Sequence, residues 1–344
     1  MVRYLCSLIV MATTLVTWSA VSRAETQPAG RSPDSSVVTI NIRTATWSIS
    51  HSPPVYQADP EISKEALAAI NLYAGMTDDE LRALLTTAGA TLDSDNYKLK
   101  TIAYDMARFY QKHIKSEIES DRDKASMYAG KAGVLLERYA EVVPSWPLVS
   151  KYDRVTTIPL EPEPPVNYWS RWDNGGLFGT WFFDELYNEG RYLALAYDFI
   201  YDSGVLSEQS KTLIENNLLR YLVEVVLRND KNPIAINGGR SVDFSYGNVT
   251  GHLAKGLVFF GKIVDPAFVH VAVELIRDQQ KAGFFRDGMW HEGSPGYHLL
   301  TTRAADAVCG YLAGYKDPDG FIYKGYTTRF GRTLPGDDTR YDGL

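Results

Sequence analysis

The chain has little cysteine, no long apolar run past its first two dozen residues, no excess of positive charge and almost no strand-like alternation. Its cysteines are Cys6 and Cys309. Residues 1–24 carry a basic Arg3, an apolar run through Leu8, Ile9, Val10 and Met11, and small exit residues Ser22 and Ala24. That is the layout of a secretory signal peptide cut after Ala24, so a periplasmic or secreted protein is expected. Cys6 would leave with it, and a lone Cys309 excludes an internal disulfide. Cys309 stands among Ala307, Val308, Tyr311 and Leu312, a setting for a buried thiol rather than a nucleophile. No later stretch reaches the length of a membrane span. Lys and Arg total 35 against 42 Asp and Glu, a net charge of −7 that becomes −9 once Arg3 and Arg23 are removed. An acidic chain argues against non-specific nucleic-acid binding.

What is present is helix and aromatic surface. Residues 25–57 are polar and rich in Ser and Thr, which suggests a loosely held arm. Residues 58–344 then read as one helical domain. Ala66, Ala69, Ile70 and Tyr73 form a stripe, and Thr77–Asp78–Asp79–Glu80 is a capped helix start. Leu99, Ile102, Met106, Phe109, Tyr110, His113 and Ile114 repeat at three- and four-residue steps across 96–119. His113 on that stripe is a packed or surface histidine. Further helices are expected at about 123–142, 180–202, 207–228, 249–263, 266–282 and 296–315. Pro144 and Pro147 close one of them, and 148–166, with Glu161–Pro162–Glu163–Pro164–Pro165, is an extended crossing. Helical pairs of this kind predict an all-α fold, an α/α toroid or solenoid.

Two stretches concentrate chemistry. Phe284 to Arg303 holds Arg286, Asp287, Trp290, His291, Glu292, Tyr297, His298 and Arg303. Ser294 is an N-cap and Pro295 fits the first helical position, so a helix starts there and turns Leu299, Leu300, Ala304, Ala307 and Val308 inward. Tyr297 and His298 then lie in its first turn, beside free N–H groups that suit an anion. Upstream, Asn248 caps another helix and His252 follows four residues on. In a toroid the two helix starts can share one rim. Arg171, Arg240, Lys255, Arg286 and Arg303 would give a local basic groove. The loop Asn167–Trp181 holds Arg171, Trp172 and Trp181, which either line a sugar cleft or plug the core. Trp290 is a further candidate platform.

The run Glu292–Gly293–Ser294–Pro295–Gly296–Tyr297–His298, preceded by Asp287–Gly288, resembles the catalytic-tyrosine motif of heparinase II/III-like polysaccharide lyases, which are related to toroid alginate lyases. Leu195–Ala196–Tyr197–Asp198 to Leu206–Ser207–Glu208 is similar to a helical pair of that family. The resemblance covers most of 180–344. It implies an incomplete (α/α) toroid and β-elimination on a uronic-acid polysaccharide, heparin-like or alginate-like, with neither metal nor cofactor in the bond-breaking step. Asn248 would neutralise the uronate carboxylate so that the enolate-like charge can be held. Tyr297 would act as acid, or as both acid and base, and His252 or His298 is the candidate separate base. Two features depart from the family: Val249 follows Asn248 where relatives often have His or Trp, and no β-sandwich follows before Leu344.

The residues alone leave alternatives. A glycoside hydrolase would need two opposed carboxylates, and Asp184, Glu185, Asp287 and Glu292 are the acids on offer. A non-catalytic glycan-binding module would use the same aromatic and basic groups. Asn248 as a plain cap, and His291 and Glu292 as turn residues, are the structural counterparts.

Overall fold

The computed structural model describes residues 55–56, 61–85, 97–146, 186–227, 236–237, 240–241, 249–290 and 293–344. The signal segment, most of the arm, the crossing at 148–166 and the aromatic loop with Arg171, Trp172 and Trp181 lie outside them.

The described chain is mostly helical. α1 (Lys64–Ala74) and α2 (Asp78–Ala83) begin at Ser63 and Thr77, the second with a reciprocal capping box to Glu80. α3 (Tyr97–His113) and α4 (Glu119–Val142) follow, and a 3₁₀ turn, Val143–Ser145, carries Pro144 at the end of α4. Next come α5 (Gly190–Ile200), α6 (Glu208–Ile214) and α7 (Arg220–Leu227), the last two joined by a π-helical turn, Glu215–Leu219. The sequence reads 207–228 as one uninterrupted helix. A π-helical turn interrupts it instead, with Glu215, Asn216 and Asn217 buried, a break that a strict 3.6-residue period does not anticipate. A short hairpin, β1 (Ile236–Asn237) with β2 (Arg240–Ser241), precedes α8 (Val249–Gly261), α9 (Pro266–Gly283) and α10 (Pro295–Leu312).

A second antiparallel hairpin, β3 (Tyr323–Thr327) with β4 (Thr333–Thr339), closes the chain. The sequence reading missed it, for a local reason. Gly325, Pro335 and Gly336 break the alternation, and they are there because the strands cross very closely. Gly325 has φ +98°, and a Cβ on Gly336 would stand 2.1 Å from the Lys324 carbonyl carbon.

The helices form two rows. α3, α5, α8 and α10 pack side by side. Contacts fix their direction: Lys100 pairs with Glu189 and Tyr104 packs on Tyr192. Leu186 abuts Gly256 and Phe260 abuts Gly190, while Gly251 meets Ala304 and Phe259 meets Tyr311. Each pair advances together, so neighbours in this row run parallel. α4 returns against α3, with Tyr128 on Phe109, and α9 returns against α8, with Val269 on Gly261. A Cβ on Gly251 would lie 2.7 Å from Ala304 Cβ, so the glycine is what lets α8 and α10 touch.

The C-terminal hairpin is locked onto this frame by buried polar groups. Asp317 accepts from Tyr315 Oη at 2.9 Å, from the Tyr341 N–H at 2.6 Å and from His270 Nε2 at 2.9 Å. The His270 ring stacks on Tyr341 with centroids 4.0 Å apart. Glu224 accepts from Tyr326 Oη at 2.5 Å and pairs with Arg329, and Arg220 pairs with Asp265.

The end of the expected arm is tied down rather than loose. The Val55 and Tyr56 N–H groups donate to the two Asp198 carboxylate oxygens at 2.9 and 3.0 Å. Tyr56 Oη donates to the Phe259 carbonyl at 3.1 Å, and its ring stacks on Phe259. Burial pushes the Asp198 carboxyl up to about 6, against the opposing pull of those two N–H donors.

Candidate functional site

The stretch before α10 is shaped by backbone chemistry. Gly288 N–H donates to the Phe285 carbonyl and Phe285 N–H to the Met289 carbonyl. Arg286, Asp287 and Gly288 thus form a three-residue hairpin loop whose last position, φ +84°, needs glycine. Asp287 Oδ1 accepts the Met289 N–H at 2.9 Å, which holds the turn. Gly293 also has positive φ, +68°, and donates to the Trp290 carbonyl. Ser294 caps α10 through Tyr297 N–H at 3.4 Å, with Pro295 at the first helical position. Asp287, Gly288, Gly293, Ser294 and Pro295 therefore each have a conformational task.

Tyr297 is different. Its side chain is 49% exposed in the first turn of α10. His298 beside it is half-buried, and its Nδ1 accepts the Trp290 N–H at 3.2 Å. That bond leaves the neutral ring with its proton on Nε2, so His298 presents a donor there and has no lone pair for a base role. Trp290 is 0% exposed and meets Phe284 edge-on at 5.2 Å. A ring with no open face cannot be a sugar platform, so the expected stacking role falls. Trp290 is the anchor that orients His298.

Leu299 and Leu300 are 52% and 39% exposed, whereas the sequence turns them inward. The register of the parallel pair explains it. Gly251 is level with Ala304, so α8 begins near the level of Thr302 and the first turns of α10 overhang it. Ala304, Val308 and Cys309, deeper along α10, are buried as expected.

The same register separates the candidate catalytic groups. His252 is level with Ala305, eight residues beyond Tyr297, or about 12 Å of helical rise. Arg303 is exposed and six residues from Tyr297, about 9 Å along α10 and toward another face. Arg286 is exposed in the hairpin loop. Arg240 lies in β2, its side chain outside the described residues, as is Asn248. Among the described residues no group of three or more His, Cys, Asp or Glu stands where it could hold a metal ion. No described helix is long and apolar enough to cross a membrane.

Lys255, expected in one basic groove with Arg286 and Arg303, lies deeper along α8 instead, in a second concentration of polar groups whose other members the sequence did not single out. Lys255 Nζ lies 3.5 Å from the centroid of the Tyr187 ring, and the Arg191 guanidinium lies 5.0 Å from it. Tyr187 Oη and Tyr311 Oη are 2.6 Å apart. Burial raises the Tyr187 phenol, helped by Tyr311, while Lys255 and Arg191 pull the other way. One signal was legible: Tyr104–Arg108 and Tyr187–Arg191 repeat the same four-residue step, which stacks an arginine on a tyrosine one turn away.

Comparison of the chain with protein-family models, with curated sequences and with solved structures returns no match.

Proposed function

We propose that this protein is an exported lyase that cleaves a uronic-acid polysaccharide by β-elimination on an incomplete toroid of helical hairpins. The observation that carries the reading is Tyr297: a half-exposed phenol in the first turn of α10, beside the Gly296 N–H at the positive end of the helix, where Pro295 has no N–H and those of Tyr297 and His298 bond Ser294. A uronate carboxylate held at that end, with Asn248 as a further donor, would make the C5 proton acidic enough to remove. The His298 Nε2–H is a further donor for the same anion. Two turns separate His252 from Tyr297, which favours Tyr297 as both the group that takes the C5 proton and the group that returns one to the leaving oxygen. Support for the toroid comes from the parallel row α3, α5, α8 and α10 backed by returning helices.

A non-catalytic glycan-binding module is the second reading. It draws on the conformational tasks that Gly288, Gly293, Ser294 and Pro295 already perform. For the hydrolase reading, Asp287 is exposed and accepts the Met289 N–H on one of its two oxygens. Incubation with alginate, heparin and other uronate polymers, following absorbance of the new C4–C5 double bond, separates these. Absorbance on one polymer supports the lyase; saturated products point to a hydrolase; binding with no product on any polymer leaves the module.

A further inference from the structure

The cations on α5 and α8 are more than helix-surface pairs. Arg191 stacks on Tyr187, in the helical turn just before α5, and also on Tyr192, 4.6 Å from that ring, while donating to Tyr192 Oη at 3.0 Å. Lys255 arrives at the same Tyr187 ring from the neighbouring helix. Two positive groups thus converge on one half-buried aromatic, and among the described residues neither has a carboxylate partner. Several other cations of the frame differ. Lys100, Arg220, Arg329 and Arg82 all sit against acids. Like charges brought together at reduced solvation repel, and the ring faces compensate only in part. An anion within reach of both would offset that repulsion. The strip continues through Tyr192 against Tyr104, whose ring carries Arg108 at 5.3 Å, an arginine that is itself paired with Asp105. These contacts therefore link α8, α5 and α3.

We propose that Arg191 and Lys255 form an anionic subsite that takes the carboxylate or sulfate of an acidic sugar residue, the chain running across Tyr187, Tyr192 and Tyr104. The subsite is distinct from Tyr297: Lys255 lies more than ten residues of rise deeper in the α8–α10 register, about 16 Å. The choice of glycan over nucleic acid follows from charge. The chain carries −7 overall, which suits a ligand whose charges are spaced by neutral rings better than a dense polyphosphate. The proposal rests on the acidic-glycan reading of the ligand but not on catalysis.

The test is binding on the full chain in a Tyr297→Phe background, so that no substrate is consumed. The probes are an alginate hexasaccharide, a heparin hexasaccharide, cellohexaose and a short single-stranded DNA, titrated by calorimetry. Lys255→Gln and Arg191→Gln keep much of each stem, and circular dichroism confirms that each variant is folded. We expect each to weaken the acidic oligosaccharides tenfold or more and to leave cellohexaose binding unchanged. Loss for the alginate probe alone assigns a carboxylate; loss for the heparin probe alone assigns a sulfate. Unchanged affinity in both folded variants overturns the subsite. So does cellohexaose binding as tightly as the acidic probes, or DNA binding more tightly than either and losing affinity in the same variants. Predicted binding with no double-bond product from the wild-type protein sinks the lyase alone and leaves the subsite standing.

Discussion

The C-terminal hairpin and the start of α10 treat side chains in opposite ways. Around the hairpin, polar groups are buried and paired: Asp317 takes three donors and Glu224 takes two residues, with ring stacking above and below His270. At the start of α10 apolar and aromatic groups are exposed instead: Tyr297, Leu299, Leu300 and, on the adjoining hairpin loop, Phe285. The first region is a lock whose parts each serve stability. The second contributes little to stability, and its exposed groups are free to meet a ligand. Burying polar groups is costly unless they are satisfied, so the lock is the place where removing one atom does most damage.

The largest effect should come from Asp317→Ala. It leaves His270, Tyr315 Oη and the Tyr341 N–H without their acceptor and should cost about 3–5 kcal/mol in denaturant unfolding. A cost under 1 kcal/mol would break the contrast. Next is the Asp198 clasp. Its folded-state carboxyl, pushed up to about 6, lies above the ordinary 3.8, so the native state binds the proton more tightly than the unfolded chain. The stability that this group supplies is fully present below pH 3.8 and is lost as pH rises toward 6, by on the order of 2–3 kcal/mol. The slope of unfolding free energy between pH 4 and 6 should flatten in Asp198→Asn, and an unchanged slope would contradict it. The smallest effect should follow Leu299→Ser with Leu300→Ser. Both side chains are substantially exposed, so the pair should shift stability by roughly 1 kcal/mol or less. A loss comparable to that of Asp317→Ala would show that the overhang is covered after all.

Local chemistry was the legible part of this chain. The Ser294–Pro295 start, the Thr77 capping box, the buried Cys309 and the stripe of α3 follow from neighbours a few residues apart. What depends on registration between helices was not. Leu299 and Leu300 fit an inward stripe, and only the offset of α8 against α10 exposes them. Trp290 had the composition of a platform but a fully buried position. The π turn at Glu215–Leu219 and the glycine-broken hairpin at Tyr323–Thr339 each violate the period that pattern reading relies on. Lys255 on Tyr187 joins residues far apart in the chain, and of the cluster only Lys255 was singled out.

The most direct measurement takes Tyr297→Phe and the wild-type protein from one preparation procedure and records melting temperature and initial rate of double-bond formation on the polymer that the wild type cleaves. The exposed hydroxyl contributes on the order of 1 kcal/mol at most, so the melting temperature should barely move. The rate should fall roughly a hundredfold or more, the scale of losing a positioned acid or base. A Phe variant that melts lower yet turns over at a near-normal rate per folded molecule would place Tyr297 in the scaffold and contradict the account.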